Sequence, residues 1–204
     1  MENNIELFKN FPVLYIHKKW ITKENIIPEN IDIEFFKKTK RLQKILSDRI
    51  LEKYNLTNDI VFSKKNYEND TSIFFDYEDI QKISLIAATN LYSNYLKCIA
   101  DARRVRDIIE LVGDKYYKKL CENANIKGVF DIDTEILCNN IKDTAPKCIA
   151  AWVLSYPAPI RGRLLLKLPP GAIPSALAGG TDTLLRSFFY AVKLWDKEHE
   201  TESQ

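Results

Sequence analysis

The sequence has few of the residues that nucleotide and metal sites require. Its 204 residues include six glycines and two histidines. Neither GxxxxGK[ST] nor GxGxxG occurs, so no glycine-rich loop can bring backbone N–H groups close to a phosphate. The four cysteines contain no CxxC pair, and a zinc site would need ligands scattered along the chain. We therefore expect no metal or cofactor, and we interpret the cysteines as small core residues in a reducing compartment.

Long apolar runs and a strong excess of one charge are also missing. The apolar stretches are a handful of residues long, whereas a membrane-spanning helix needs about 20. The opening MENNIELFKNF has acids and asparagines where a signal peptide has lysines. Thirty basic residues against 28 acidic ones leave a net charge of +2, which is too balanced for a typical nucleic-acid-binding protein. The local exception, Lys37 to Lys44, is interpreted as a solvated helix surface.

Apolar periodicity predicts a mainly α fold. We expect a single helical domain over residues 1–196 with irregular connections, and a polar, disordered tail over residues 197–204. A few short strands would fit the apolar patches at Ile60–Phe62 and Ile73–Phe75. Helices are predicted over residues 33–54, 77–100, 102–112, 115–122, 131–141, 146–155 and from 181 to about 195, with Pro146 separating two of them.

Candidate acid–base groups are isolated in the sequence. His17, in VLYIHKKW, has no evident activating partner, so packing is the simpler interpretation and general-base catalysis the alternative. Paired carboxylates could come from Asp131 with Asp133 or from Glu78 with Asp79. Adjacent and alternate positions do not share one helical face, and helix capping explains these acids more simply.

The stretch from Trp152 to Gly171, WVLSYPAPIRGRLLLKLPPG, contains four of the eight prolines. In an extended conformation, Arg161 and Arg163 would project on the same side, with Lys167 following in register. These residues could be the solvated face of an edge strand whose other face carries the leucines. Alternatively they form a partner-binding rim, because arginine binds carboxylates through two parallel hydrogen bonds. The composition favours a docking surface over a catalytic centre.

Two elements of the sequence resemble one protein family. The stretch CIAAWVLSYPAPIRGRLLLKLPPG is similar to the carboxy-terminal region of the cytosolic accessory protein of bacterial type III secretion systems, the SctK or YscK family. The opening ELFKNFPVLYIHKKW resembles the start of that family, where Phe11, Pro12, Tyr15 and His17 precede the first helix. Between them, ILEKYNLTNDI and the order of helices through residues 101–120 are also similar, so the resemblance extends over nearly the whole chain.

The resemblance implies a small helical adaptor without cofactor or reaction. Members of the family connect the cytosolic forkhead-associated domain of the inner-membrane ring protein to the pod protein of the sorting platform. The implied location is cytoplasmic, peripheral to the inner membrane through the secretion apparatus. No interface residues come with the resemblance, so Arg161, Arg163 and Lys167 are candidates from the sequence alone. The alternatives are a small cytosolic enzyme with an unrecognised active site and a nucleic-acid-binding helical protein that uses Lys37 to Lys44.

Overall fold

The computed structural model describes residues 2–27, 33–56, 71–99, 102–123, 134–174 and 180–202. Every regular element within these ranges is helical, so the predicted mainly α fold is confirmed. The described α-helices are α1 (Glu2–Asn10), α2 (Lys18–Lys23), α3 (Ile33–Lys37), α4 (Lys40–Lys53), α5 (Tyr77–Leu91), α6 (Ser93–Leu96), α7 (Ala102–Val112), α8 (Asp114–Asn123), α9 (Thr134–Leu154), α10 (Ala158–Lys167) and α11 (Thr181–Glu202). Short 3-10 helices lie at Pro12–Leu14 and Thr71–Phe74.

The contacts divide the chain into two compact units, each built from two separate segments. The first unit contains Met1–Tyr77 and Tyr156–Ala172. The second contains Glu78–Ser155 and Ile173–Gln204. The chain therefore leaves the first unit at the start of α5 and returns to it directly after α9.

The core of the first unit combines the amino-terminal segment with α4 and α10. Leu46 and Ile50 lie four residues apart on one face of α4, and both are buried. Full burial of one such side chain stabilises the fold by about 1.5–3 kcal/mol. Among the described residues, the buried cluster consists of Val13, Ile16, Ile21, Ile27, Leu46, Ile50, Leu56 and Leu166.

In the second unit, α9 packs against α11. The rings of Trp152 and Phe188 are fully buried and stacked, with centroids 5.1 Å apart. The small side chain of Ala191, also fully buried, allows close approach on α11. Nearby, the Ser187 hydroxyl donates a 2.7 Å hydrogen bond to the carbonyl oxygen of Ala87. An aromatic pair and a satisfied buried hydroxyl therefore join three helices of this unit.

The helix predicted over residues 33–54 is broken near its start. The structure has α3 up to Lys37 and α4 from Lys40, with Thr39 in an extended conformation between them. The side-chain amide of Gln43 donates to the carbonyl oxygen of Lys37, and the backbone N–H of Gln43 donates to that of Thr39 at 2.9 Å. Both carbonyl groups near the break are thereby satisfied.

The separation of two helices at Pro146 is wrong. Pro146 lies inside α9, which is continuous from Thr134 to Leu154. A proline inside a helix costs about 3 kcal/mol, because it removes one hydrogen bond and its ring crowds the preceding turn. The buried residues Ala145, Cys148 and Ile149 on the same helix offset this cost through packing.

Two further predictions change at short segments. Residues Thr71–Phe74 form a 3-10 helix, so no strand begins at Ile73. The other proposed strand, Ile60–Phe62, lies outside the described residues.

At the carboxy terminus, α11 continues to Glu202, whereas the sequence predicted a disordered tail from residue 197. The prediction for residues 102–112 matches α7, and Gly113 ends it at a φ of +90° that favours glycine.

Candidate functional site

The centre of the Trp152–Gly171 stretch is helical, so the predicted extended segment is wrong. Pro157, with φ −55° and ψ 151°, precedes the first residue of α10, and Pro159 lies in its first turn. Proline is accepted there because the first N–H groups of a helix have no intrahelical acceptor. Leu168 is extended after the helix, and Pro169 and Pro170 prevent its continuation. The prolines therefore mark the start and the end of one short helix.

Arg163 is buried in this helix, with 3% of its surface exposed. Its Nε donates to the carbonyl oxygen of Lys9 at 3.1 Å, Nη1 to that of Pro159 at 3.1 Å, and Nη2 to that of Leu56 at 2.6 Å. Lys9 lies in the last turn of α1, where carbonyl groups lack intrahelical donors and a cation is favourable. One guanidinium group therefore joins α1, α10 and the segment that follows α4.

Lys167, one turn further along the same face, is 4% exposed. Its Nζ donates to the carbonyl oxygens of Ile73, at 2.5 Å, and Phe75, at 2.9 Å. The same nitrogen lies 5.6 Å from the ring centroid of Phe8 and 5.5 Å from that of Tyr15. Aromatic faces attract a cation at this range. Lys167 thus holds the second 3-10 helix against the aromatic residues of the amino-terminal segment.

Burial shifts the ionisation of the groups around Lys167. It lowers the pKa of Lys167 to about 7, and the Asp76 carboxylate acts in the opposite direction. Burial raises the pKa of Tyr15, whose hydroxyl donates a 2.8 Å hydrogen bond to the carbonyl oxygen of Phe8. The positive charge of Arg163 acts in the opposite direction on the pKa of Tyr15. The lysine is close to half protonated at neutral pH, and it is enclosed by protein.

The predicted partner-binding rim is therefore wrong for two of its three residues. Arg163 and Lys167 are buried and donate to backbone carbonyl groups, whereas Arg161 lies on another side of α10 and is partly exposed. Between the two arginines, Gly162 packs closely on Leu56. A Cβ atom at Gly162 would lie 2.5 Å from Cδ2 of Leu56. A role for Arg161 in partner binding stays a prediction.

The two sequence elements that carry the family resemblance meet in this unit. The backbone N–H of His17 donates to the carbonyl oxygen of Leu166 at 2.8 Å. The indole Nε1 of Trp20 donates to the carbonyl oxygens of Leu168, at 2.7 Å, and Leu165, at 3.3 Å. The opening segment and the end of α10 are therefore bound together by backbone and side-chain hydrogen bonds.

His17 caps the start of α2. Its Nδ1 accepts a 3.2 Å hydrogen bond from the backbone N–H of Lys19, and its ring packs edge-on against Tyr77. Burial lowers the pKa of His17, and the neighbouring Lys19 and Lys18 lower it further. The neutral imidazole is the form that can accept this bond. These contacts fit the packing interpretation of His17, and general-base catalysis stays an untested alternative.

The remaining candidate groups are dispersed. Glu78 and Asp79 lie in the first turn of α5, while Asp131 and Asp133 lie outside the described residues. Cys148 is fully buried, and burial raises its pKa to about 12; Cys98, Cys121 and Cys138 are partly exposed. All four are free thiols. The interpretation as core residues is correct for Cys148 alone.

In the ranges that the structure describes, no three His, Cys, Asp or Glu side chains are grouped so as to hold a metal ion. No helix in the same ranges is long and apolar enough to cross a membrane.

Comparisons of the chain with protein-family models, curated proteins and solved structures find no match.

Proposed function

We propose that this chain is a cytosolic adaptor of the bacterial type III secretion sorting platform, of the SctK or YscK type. In this role it links the forkhead-associated domain of the inner-membrane ring protein to the pod protein, at the cytoplasmic base of the secretion apparatus. The observation that carries the proposal is that the two elements resembling this family pack against each other. Trp20 and Leu168, 148 positions apart, share a hydrogen bond.

The contacts give physical reasons for the residue types in both elements. Pro12 begins the first 3-10 helix, Tyr15 faces the Lys167 ammonium group, and His17 caps α2. In the second element, Lys167 and the residues around it complete the same core. The two stretches that resemble the family also pack against each other, so they are parts of one structural unit. This supports a common fold with the family.

A binding experiment with purified proteins tests the proposal. The chain is immobilised, and the ring protein's cytosolic domain and the pod protein of the same secretion system are added separately and then together. We expect each to bind alone and a three-component complex to form when both are present, since an adaptor must hold both partners at once. Size-exclusion chromatography with light scattering gives the composition of the complex.

The control is a check that every component is folded. Far-UV circular dichroism of the chain should show high helix content, and the two partners should each elute as a defined species. If the folded chain binds neither partner at micromolar concentration, the proposal is wrong. If the two partners displace each other, the chain binds them but does not link them.

A further inference from the structure

Four charged side chains lie on one exposed side of α7. Their spacing of i, i+3, i+4 and i+7 places them on the same face of a helix, and each of them is exposed. The opposite side of α7 is fixed in the second unit by the buried residues Ile108 and Val112. We call this set the charged face of α7; it consists of Arg103, Arg106, Asp107 and Glu110.

The order of these charges is the reverse of the order that a single helix favours. The helix dipole favours acidic residues in the first turn and basic residues in the last turn, but α7 has neither. Pairs four residues apart are also reversed, because Arg103 precedes Asp107 and Arg106 precedes Glu110, whereas the acid-first order is more stable. The stability of α7 alone therefore does not explain the arrangement.

Three of these charges form no ion pair within the described chain. Arg106, Asp107 and Glu110 have no ion-pair partner in the ranges that the structure describes. In α8, by contrast, Asp114 and Lys118 follow the acid-first order and pair at 2.6 Å. The three charges on α7 are therefore available to groups outside the chain.

A neighbouring positive charge lies on α9, which packs against α7. Burial raises the pKa of the Cys138 thiol on α9, Asp107 raises it further and Lys142 lowers it, so both charges lie near this thiol. Lys142 is exposed, and it makes no ion pair with Asp107. The charged face of α7 thus keeps two basic and two acidic groups for an external contact.

In the antiparallel direction, the charged face of α7 is complementary to itself. When a second α7 lies antiparallel, with a twofold axis between Arg106 and Asp107, Arg106 lies opposite the partner's Asp107. In the same register, Arg103 lies opposite the partner's Glu110. The twofold axis repeats both ion pairs, and the dipoles of the two helices also point in opposite directions, which is favourable.

We infer that the charged face of α7 binds the same face of a second copy of this chain, in an antiparallel arrangement across a twofold axis. The face has no excess of either charge, so it suits neither the phosphates of a nucleic acid nor a partner of one charge. Exposed ion pairs are individually weak, so the dimer forms at high protein concentration and dissociates in high salt. This dimer is independent of the proposed function.

Sedimentation velocity from micromolar to near-millimolar concentrations of the full chain tests the contact, in low and in high salt. Arg106→Asp and Asp107→Arg each place like charges opposite one another across the axis. We expect each variant alone to self-associate at least about 10-fold more weakly than the wild type. A mixture of the two variants should form a heterodimer with the affinity of the wild type, because opposite charges then meet at every position.

Two controls separate this contact from a general effect of charge. The exchanged variant, with Arg106→Asp and Asp107→Arg in one chain, keeps the self-complementary pattern and should dimerise like the wild type. Lys147→Asp and Asp143→Arg make the same changes of charge at exposed positions of α9. Each should change self-association by less than about 2-fold, and circular dichroism should show that every variant is folded.

The inference is overturned if the wild-type chain stays monomeric at the highest concentration in low salt. It is also overturned if the single variants associate as the wild type does, or if their mixture forms no heterodimer, since the chain then associates through another surface. If the wild type is monomeric and Arg106→Asp weakens binding to the ring domain or the pod protein instead, the face binds that protein. In that case the dimer is wrong and the proposed function stands.

Discussion

The buried ammonium group of Lys167 predicts how stability depends on pH. In the unfolded chain its pKa is near 10.5, whereas burial lowers it to about 7 in the folded protein. Between these values the unfolded state binds more protons than the folded state, so the free energy of unfolding increases as the pH rises. Below about pH 6 the lysine is protonated in both states and this contribution no longer changes.

The size of the effect follows from the two pKa values. Each unit of difference corresponds to about 1.4 kcal/mol, and the folded-state lysine is already half titrated at pH 7. The free energy of unfolding should therefore increase by about 2 kcal/mol between pH 7 and pH 9. Between pH 6 and pH 7 the change should be only a few tenths of a kcal/mol.

Urea unfolding followed by tryptophan fluorescence measures this dependence, with Lys167→Met as the reference. Methionine has a similar length and no charge, and all other titrating groups are shared by the two proteins. The difference in unfolding free energy between wild type and Lys167→Met should move in favour of the wild type by about 2 kcal/mol from pH 7 to pH 9. A difference that stays constant over this range would refute the reasoning.

Three further predictions concern packing around α10 and α9. Arg163→Met should lower the free energy of unfolding by about 3 kcal/mol, because three carbonyl groups each lose a hydrogen bond from the guanidinium group. Arg161→Met should change it by less than about 0.5 kcal/mol, and similar urea midpoints for the two variants would contradict this reasoning. Gly162→Ala should gain up to about 1 kcal/mol of helix stability when Leu56 is also alanine, but less or none with Leu56 in place; equal effects in both backgrounds would exclude the predicted clash. Cys148 should react with a thiol reagent only in denaturant, with Cys148→Ala identifying its signal; rapid reaction in native buffer would argue against its burial.

The helices could be predicted from the sequence where the apolar spacing is regular. In α7 the apolar stripe and Gly113 together define both the segment and its end. Pro146 misled the prediction because a local rule against proline was outweighed by tertiary packing of α9. The break between α3 and α4 had one weak local signal, Thr39, because threonine is favoured at helix N-caps; its side chain makes no cap hydrogen bond here.

The burial and the hydrogen-bond partners of Arg163 and Lys167 could not be predicted from the sequence, for a physical reason. Their partners are backbone carbonyl groups of Lys9, Leu56, Ile73 and other residues, and every residue carries such a group. One signal was available: arginine and lysine four positions apart share a helical face, and the prolines before them are typical of a helix start. The two-residue spacing of Arg161 and Arg163, which suggested an extended segment, was the weaker signal.

The division of each unit into two chain segments has a consequence for synthesis on the ribosome. The amino-terminal helices emerge first, but residues 156–172, which complete their core, follow only after most of the second unit has been made. During that interval Val13, Ile16 and Ile50 lack the partner Leu166. This topology places the closure of the first unit after the synthesis of residues 78–155, and until then its apolar core residues stay exposed.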